Sequence, residues 1–463
     1  MTPPPAMSVA AMMRPPVEVP DSPVNRDLLA VMGRPSLLYW LLLLFMVVFV
    51  HAVGAVWVFQ VYKGLGIAGY KHPVFWGVYI VTFVFWVGIA HAGTLISAIL
   101  YLFRSKWRNA INRSAEAMTV FAVLTAAQFL GIHVGRIWKS YFILPYPNQR
   151  GLWVNFKSPL VWDTFAISTY ATISILFLFV GLIPDIAIAR DRSTGWRRLL
   201  YTALSFGWVG TAKQWKSFNR AVLHLSGLAT PLVLSVHSVV SWDFAMSIVP
   251  TWHSTIFAPY FVAGAIFSGF AMVLTVMIPV RRIFALEAYI TEYHLENMAR
   301  FILLTSLIVG YAYGMEFFMA WYSGSEFERS AWWYRAFGDY WVSAWVMISC
   351  NSIFPNILWF KWARTNVTIL FIVSVLVNVG MWFERYVIIV IGLSHEFNPD
   401  VWNHYMPSVP EMLILAGSFA FFAMFFVIFI KLFPVVAIAE VKELVIHEKA
   451  HHGGGAVAHG ETH

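Results

Sequence analysis

Cysteine is almost missing from this 463-residue chain: Cys350 is the single one, and it falls inside an apolar run. One thiol excludes an internal disulfide, a cysteine-ligated iron–sulfur cluster and a Cys-x-x-Cys-His haem attachment, so any such centre belongs to another chain. Charge is scarce as well. Asp, Glu, Lys and Arg make up 12% of the residues, against about a quarter in a soluble globular protein. No stretch is polar enough over a domain's length to fold outside a membrane. The Pro-rich start, MTPPPAMSVAAMMRPPVEVPDSPVNRD, lacks the apolar core of a secretory signal peptide and reads as a flexible tail. The formal charge of +8 does not call for nucleic acid, because the basic residues sit in short loops between apolar runs.

What is present is apolar and aromatic: 59% hydrophobic residues, with 22 Trp and 39 Phe. A helix needs about 20 apolar residues to cross the hydrocarbon core. Runs of that length fall at 36–60, 73–102, 117–135, 161–189, 220–249, 254–283, 300–322, 339–360, 367–394 and 409–434. The fold class is therefore an all-α integral membrane protein with about ten transmembrane helices and the lipid bilayer as its solvent. A tail over 1–35 precedes the ten-span domain (36–434), and a second tail over 435–463 follows it. Its final run, HEKAHHGGGAVAHGETH, reads as a solvated Gly/His segment rather than a metal site, since no rigid spacing fixes the histidines.

With residues at span ends counted in the adjoining loops and Arg385, within a span, left out, Lys and Arg number 22 in the two tails and alternate loops, and 8 in the remaining loops. By the positive-inside rule both termini are cytoplasmic, and the long 136–160 connection is external. Two local similarities hint at a repeat. Arg113–Met118 at the start of span three resembles Leu295–Arg300 at the start of span seven, and Trp162-Asp163 resembles Gly338-Asp339. Four spans per unit preserve orientation, so 73–249 and 254–394 are predicted to be two four-helix bundles, with the first and last spans as additions.

Ionisable side chains within spans cost roughly 2.5–3.5 kcal/mol each on insertion scales, so they default to functional roles. His133 and Arg136, three apart at the outer end of span three, would share a helical face. Asp163 opens span four, His237 and Asp243 lie in the outer part of span five, and Arg385 lies in the outer half of span nine beside Glu384. Asp163 suits a helix N-terminus, whereas Asp243, near a C-terminus, needs a partner. A second set, His91, Asp185, His224, Tyr311, Tyr313 and Glu316, lies deeper or toward the cytoplasm. His91, Asp185, Tyr311, Tyr313 and Glu316 are candidates for a proton relay, or for packing residues with satisfied hydrogen bonds. Glu287 to Glu296 reads as a polar helix end.

Histidine, carboxylates and arginine in an apolar, aromatic pocket at one membrane face suit quinol oxidation. A quinol sheds two electrons and two protons, and His and a desolvated carboxylate accept protons well. Arg385 would hold a carboxylate ionised or polarise a quinone carbonyl. Haem b fits poorly, because no helix carries two histidines at a bridging spacing and His91 has no evident partner at its own depth. A secondary transporter is the rival from another class, but it would place its site at mid-membrane. A purely structural anchor is the third reading.

Long motifs carry a family resemblance over about 25–440: FWVGIAHAGTLISAILYLFR (85–104), PYPNQRGLWVNFKSPLVWDTFAISTY (145–170), HSVVSWDFAMSIVPTWHSTIFAPYFVAGAIFSG (237–269), ENMARFILLTSLIVGYAYGMEFFMAWYSG (296–324) and GMWFERYVIIV (380–390). They resemble the NrfD/PsrC-type polysulfide reductase membrane subunits and, more closely, the ActC-type subunit of bacterial alternative complex III. The resemblance implies an inner-membrane subunit that oxidises menaquinol to menaquinone near the periplasmic face, and it leaves coupling to proton translocation open. Its implied partners are an iron–sulfur/molybdopterin-like subunit, multihaem cytochrome c subunits, a paralogous NrfD-like membrane subunit and small membrane subunits. It implies no haem, iron–sulfur cluster or metal within this chain. The quinol-site positions carry over to His133, Asp163, Asp243 and Arg385, with Arg136 and His237 beside them. Ile137 stands where the family reads proline.

Overall fold

Lipid offers no water to an unpaired backbone amide or carbonyl, and a helix satisfies both within one segment. In the computed structural model, which describes residues 22–145, 156–252 and 254–442, each apolar run forms a helix over most of its length. Ten helices among the described residues are long and apolar enough to cross a membrane. They are α2 (Leu37–Lys63), α3 (Val78–Leu102), α4 (Asn112–Val134), α5 (Pro159–Asp191), α7 (Ala212–Ala245), α8 (Phe257–Ile283), α9 (Glu292–Tyr322), α11 (Trp341–Ile348, continuing to Trp359), α12 (Val367–Tyr386, continuing to Ser394) and α13 (Val409–Leu432). Three shorter helices, α1 (Pro23–Ala30), α6 (Gly195–Leu204) and α10 (Glu326–Phe337), lie between or before them.

Helices α7 and α9 begin earlier than hydropathy predicts. Each has a polar first turn held by a capping box, Thr211 with Gln214 and Thr291 with His294, which satisfies orphan amides where the residues themselves are not apolar. The Glu287–Glu296 motif is therefore a helix start.

Parts of both predicted tails are packed. Leu28, Val31 and Met32 are buried, as are Val435 to Ile438. Lys431 donates to the Val31 carbonyl at 2.8 Å and Arg197 of α6 to the Met32 carbonyl at 2.7 Å, so the segment before α2 is tied to the end of α13 and to α6 on one side of the bundle. Hydropathy alone does not show this, because the bonds run through side chains that read as loop charge. The His-rich run, residues 1–21 and most of the PNQRG loop lie outside the described residues.

Helix α3 is the centre of the molecule, touching α4, α7, α8, α12 and α13. Helix α2 packs on α13 at the periphery, and its one buried residue is Gln60. Both α11 and α12 widen into a π turn, at Ser349–Ile353 and Val387–Ile391, a feature frequent at functional sites.

Candidate functional site

Three helix ends meet at the face opposite the end of α13. Helix α4 stops at Val134 because Gly135 takes φ +72°, a backbone region that side chains avoid. A Cβ on Gly135 would sit 2.7 Å from Leu65 Cγ, so both conformation and space require glycine there. His133 is thereby held in the last turn of α4. Arg136 lies beyond the helix and is exposed, so it does not share a helical face with His133. Helix α5 starts at Pro159, whose fixed φ suits a first turn, and this puts Asp163 near the N-terminal end. Asp243 sits in the last turn of α7.

These side chains line one cavity of about 300 Å³, at the lower end of small-molecule sites. Its polar members are His133, Asp163, Asp243, Thr164 and Ser168, and its walls are apolar, from Trp76, Ile80, Phe83 and Val84 to Leu130, Leu160 and Phe244. The Asp163 and Asp243 carboxyls lie within hydrogen-bonding reach of each other. Asp243 thus has the partner that its place at a helix C-terminus requires. His133 Nδ1, Asp163 Oδ1 and Asp243 Oδ1 are buried without a protein hydrogen bond among the described residues. Buried polar atoms are ordinarily paired, so three such atoms around one cavity fit a ligand that brings its own donors.

His237 and Arg385 do not line this cavity. They stand behind Phe244, whose ring meets Phe261 at 5.7 Å. Phe261 in turn meets the His237 ring at 5.9 Å and lies under the Arg385 guanidinium at 4.3 Å. Arg385 pairs with Glu384 at 2.8 Å, and both are buried. Tyr313 donates to Glu384, and Asn351, in the π turn of α11, donates to the Tyr313 hydroxyl at 2.8 Å.

His91 has a neighbour that the sequence does not indicate. The His237 ring is 4.8 Å away, and Tyr170 stacks on His91 at 4.5 Å. Residues 146 apart in sequence meet because α3 and α7 pack together. The other relay candidates are scattered. Asp185 is tied to Arg113 at 3.1 Å and to the Ala439 amide at 3.0 Å, in a cluster with Glu116 at the other end of the bundle. Tyr311 is exposed on α9, and so is His224 on α7. Glu316 lines a separate cavity of about 560 Å³ with Thr251, Ser254 and Trp332. Among the described residues no group of three or more His, Cys, Asp or Glu is placed to hold a metal ion.

Sequence reasoning passes over the aromatic wall Trp76, Phe83 and Phe244, since such residues abound in every span. It also passes over a polar group beside His133, formed by Gln60, Tyr70, Tyr79, Tyr405 and Glu411. Only Glu411 leaves a trace, as the last residue of a Ser408-x-x-Glu411 capping box.

A family model described as Polysulphide reductase, NrfD matches residues 66–395. The chain belongs to the NrfD family. Three relatives frame its place there. A putative dimethyl sulfoxide reductase membrane subunit of Halobacterium salinarum is 26% identical over 234 residues, and the chain spans 49% of that relative's length. A selenate reductase subunit of Mesobacillus selenatarsenatis is 21% identical over 405 residues, covering 84% of this chain and 92% of that one. The Hdr-like menaquinol oxidoreductase integral membrane subunit of Archaeoglobus fulgidus is 20% identical over 402 residues, covering 82% and 90%. Ten apolar helices and membership of the NrfD family make the chain a multi-pass integral membrane protein. These relatives are named as subunits of reductases and of a menaquinol oxidoreductase, and none is named for alternative complex III.

Proposed function

We propose that this NrfD-family chain is the quinol-oxidising membrane subunit of a larger electron-transfer complex, of the alternative complex III type. The observation that carries the reading is the cavity in which His133, Asp163 and Asp243 converge among apolar and aromatic side chains. The name of the Archaeoglobus fulgidus relative adds support, since it is a menaquinol oxidoreductase subunit, and menaquinol is the substrate we assign.

Oxidation removes two electrons and two protons from the quinol. The electrons go to a partner, an iron–sulfur subunit and then multihaem cytochromes c in our reading, because a chain with one cysteine supplies no thiolate cluster. The protons go to this chain. His133 takes one through a ring nitrogen. The Asp163–Asp243 pair takes the other, since two adjacent carboxyls in an apolar site share a proton more readily than they both ionise. The apolar wall receives the ring and the start of the isoprenoid tail. Arg385 and His237, one aromatic layer behind, set the field at the cavity rather than touch the substrate.

In this reading both termini are cytoplasmic, the membrane is a bacterial inner membrane, and the quinol protons leave outward. We take 73–249 as the bundle that holds the site and 254–394 as its counterpart. If protons are also translocated, the Tyr313–Glu384–Arg385 group and the His91–His237 pair are the interior groups available. The test is quinol oxidation by the purified complex carrying His133→Ala or Asp163→Asn. Assembly with lost turnover is expected, and wild-type rates overturn the proposal.

A further inference from the structure

The two membrane-spanning helices outside the region matched by the family model each send one buried polar side chain to the His133 end of the cavity. Gln60, near the end of α2, and Glu411, in the first turn of α13, are both 0% exposed. Neither lines the cavity. Both lie outside residues 66–395, the part that the family model matches.

Gln60 acts on α4. The last carbonyls of a helix have no partner within it, and Gln60 Nε2 donates to one of them, the Ile132 carbonyl, at 3.1 Å. Gln60 Oε1 accepts from the Tyr79 hydroxyl, so the amide is held at both ends. The residue directly before His133 is thereby tied to α2.

Glu411 acts on the loop that faces His133. Its Oε2 accepts from the Gly69 and Ser408 amides, each at 2.8 Å, and its Oε1 accepts from the Tyr405 hydroxyl. That hydroxyl also accepts from the Val78 amide at 3.1 Å, at the first residue of α3. Gly69 precedes Tyr70, whose ring stacks on Tyr405 and meets the His133 ring edge-on, both at 6.2 Å. A Cβ on Gly69 would run into the Met406 carbonyl and lie 3.1 Å from Glu411 Oε2. The approach of these loops therefore depends on a residue without a side chain. Burial, then the nearby Glu411 carboxylate, hold the Tyr70 and Tyr405 phenols well above their ordinary range. Both stay neutral.

We infer that Glu411 and Gln60 are positioning residues for His133: α13 fixes the Tyr70 ring against it and α2 fixes its backbone. On this account α2 and α13 are part of the site and not only lipid-facing packing. The inference rests on the quinol-oxidation reading of the His133 cavity.

The experiment uses the intact purified complex, with quinol turnover counted per assembled complex. Glu411→Leu removes every acceptor at that position. Glu411→Gln keeps one oxygen for the two amides. Gln60→Met keeps the length of the side chain and removes both hydrogen bonds. A misplaced proton acceptor costs rate more than binding, so Glu411→Leu and Gln60→Met should lower kcat about ten-fold or more, with KM for quinol within about two-fold. Glu411→Gln should recover most of the loss. Turnover per assembled complex at the wild-type level in Glu411→Leu or in Gln60→Met overturns the inference, even if assembly is poorer. If Glu411→Leu does not assemble, Gln60→Met decides. If neither assembles, the pair serves folding and the inference falls. His133→Ala separates the two levels: wild-type turnover there sinks the quinol reading itself. Lost turnover in His133→Ala with normal turnover in the other variants sinks only the positioning role.

Discussion

Asp163 lies near the start of one membrane helix and Asp243 in the last turn of another, and their carboxyls come within hydrogen-bonding reach at the wall of a single apolar cavity. A carboxylate near a helix C-terminus is disfavoured unless it is paired, and Asp163 is the partner of Asp243.

The pairing predicts the effect of replacing either carboxyl. Asp163→Asn removes one carboxyl of the pair and should lower kcat by about 10²- to 10⁴-fold, the usual range for general acid–base groups. Asp243→Asn should cost about as much. The double variant should be no worse than Asp163→Asn alone, because residues acting as a unit are not additive. Steady-state quinol oxidation by the three purified variants checks this, and additive losses would show two independent acceptors.

The Arg385–Glu384 pair offers a prediction on stability. Both groups are buried, at 2.8 Å, and removing one partner of a buried ion pair costs about 3–5 kcal/mol because the other charge is left alone. Arg385→Met should therefore unfold at clearly lower temperature in detergent. The double variant Arg385→Met/Glu384→Gln should recover much of that loss. Thermal denaturation of the two solubilised variants decides; equal stability of single and double variants would mean the charges are not coupled.

Glycine substitutions should separate backbone need from helix propensity. Gly135→Ala forces a side chain into φ +72° and against Leu65, and should cost about 1–3 kcal/mol while displacing His133. Gly227, within α7, has nothing within 4 Å of where its Cβ would be. Gly227→Ala should stabilise by about 0.5–1 kcal/mol through helix propensity. Melting temperatures of the two variants should move in opposite directions.

The loops at the cavity face carry a pH response. His395, just past the end of the α12 span, is stacked on Trp402 at 3.6 Å and Tyr334 at 4.7 Å, and burial lowers its pKa from 6.5 to about 4. A folded-state value below the unfolded one means the unfolded chain binds a proton first. The contribution is full above pH 6.5 and is lost as pH falls toward 4. His395→Gln should flatten the decline in thermal stability across that window. An unchanged slope would show that His395 does not titrate there.

Much of the fold was legible from hydropathy, because a membrane span needs one unbroken apolar run and nothing else in this chain competes with that signal. Where reading failed, the cause was polar. The first turns of α7 and α9 are helical through capping, and residues 23–30 and 435–438 pack through contacts made far along the chain. His133, Asp163 and Asp243 could be singled out because charge inside a span is costly. The same reasoning grouped Arg136 with them, although the helix ends one residue before Gly135 turns the chain aside.

The sequence by itself determined that this protein is ten apolar helices with its ionisable residues near their ends, since hydrocarbon tolerates no other pattern at that length. Only the tertiary structure decided which of those residues meet. Helix packing put Asp163 against Asp243, His91 beside His237, and Arg385 behind two phenylalanines. It also brought Gln60 and Glu411, from the two flanking helices, to the His133 end of the same cavity. Hydropathy sets the depth of a residue, whereas its neighbours depend on how helices distant in sequence rotate and pack against one another.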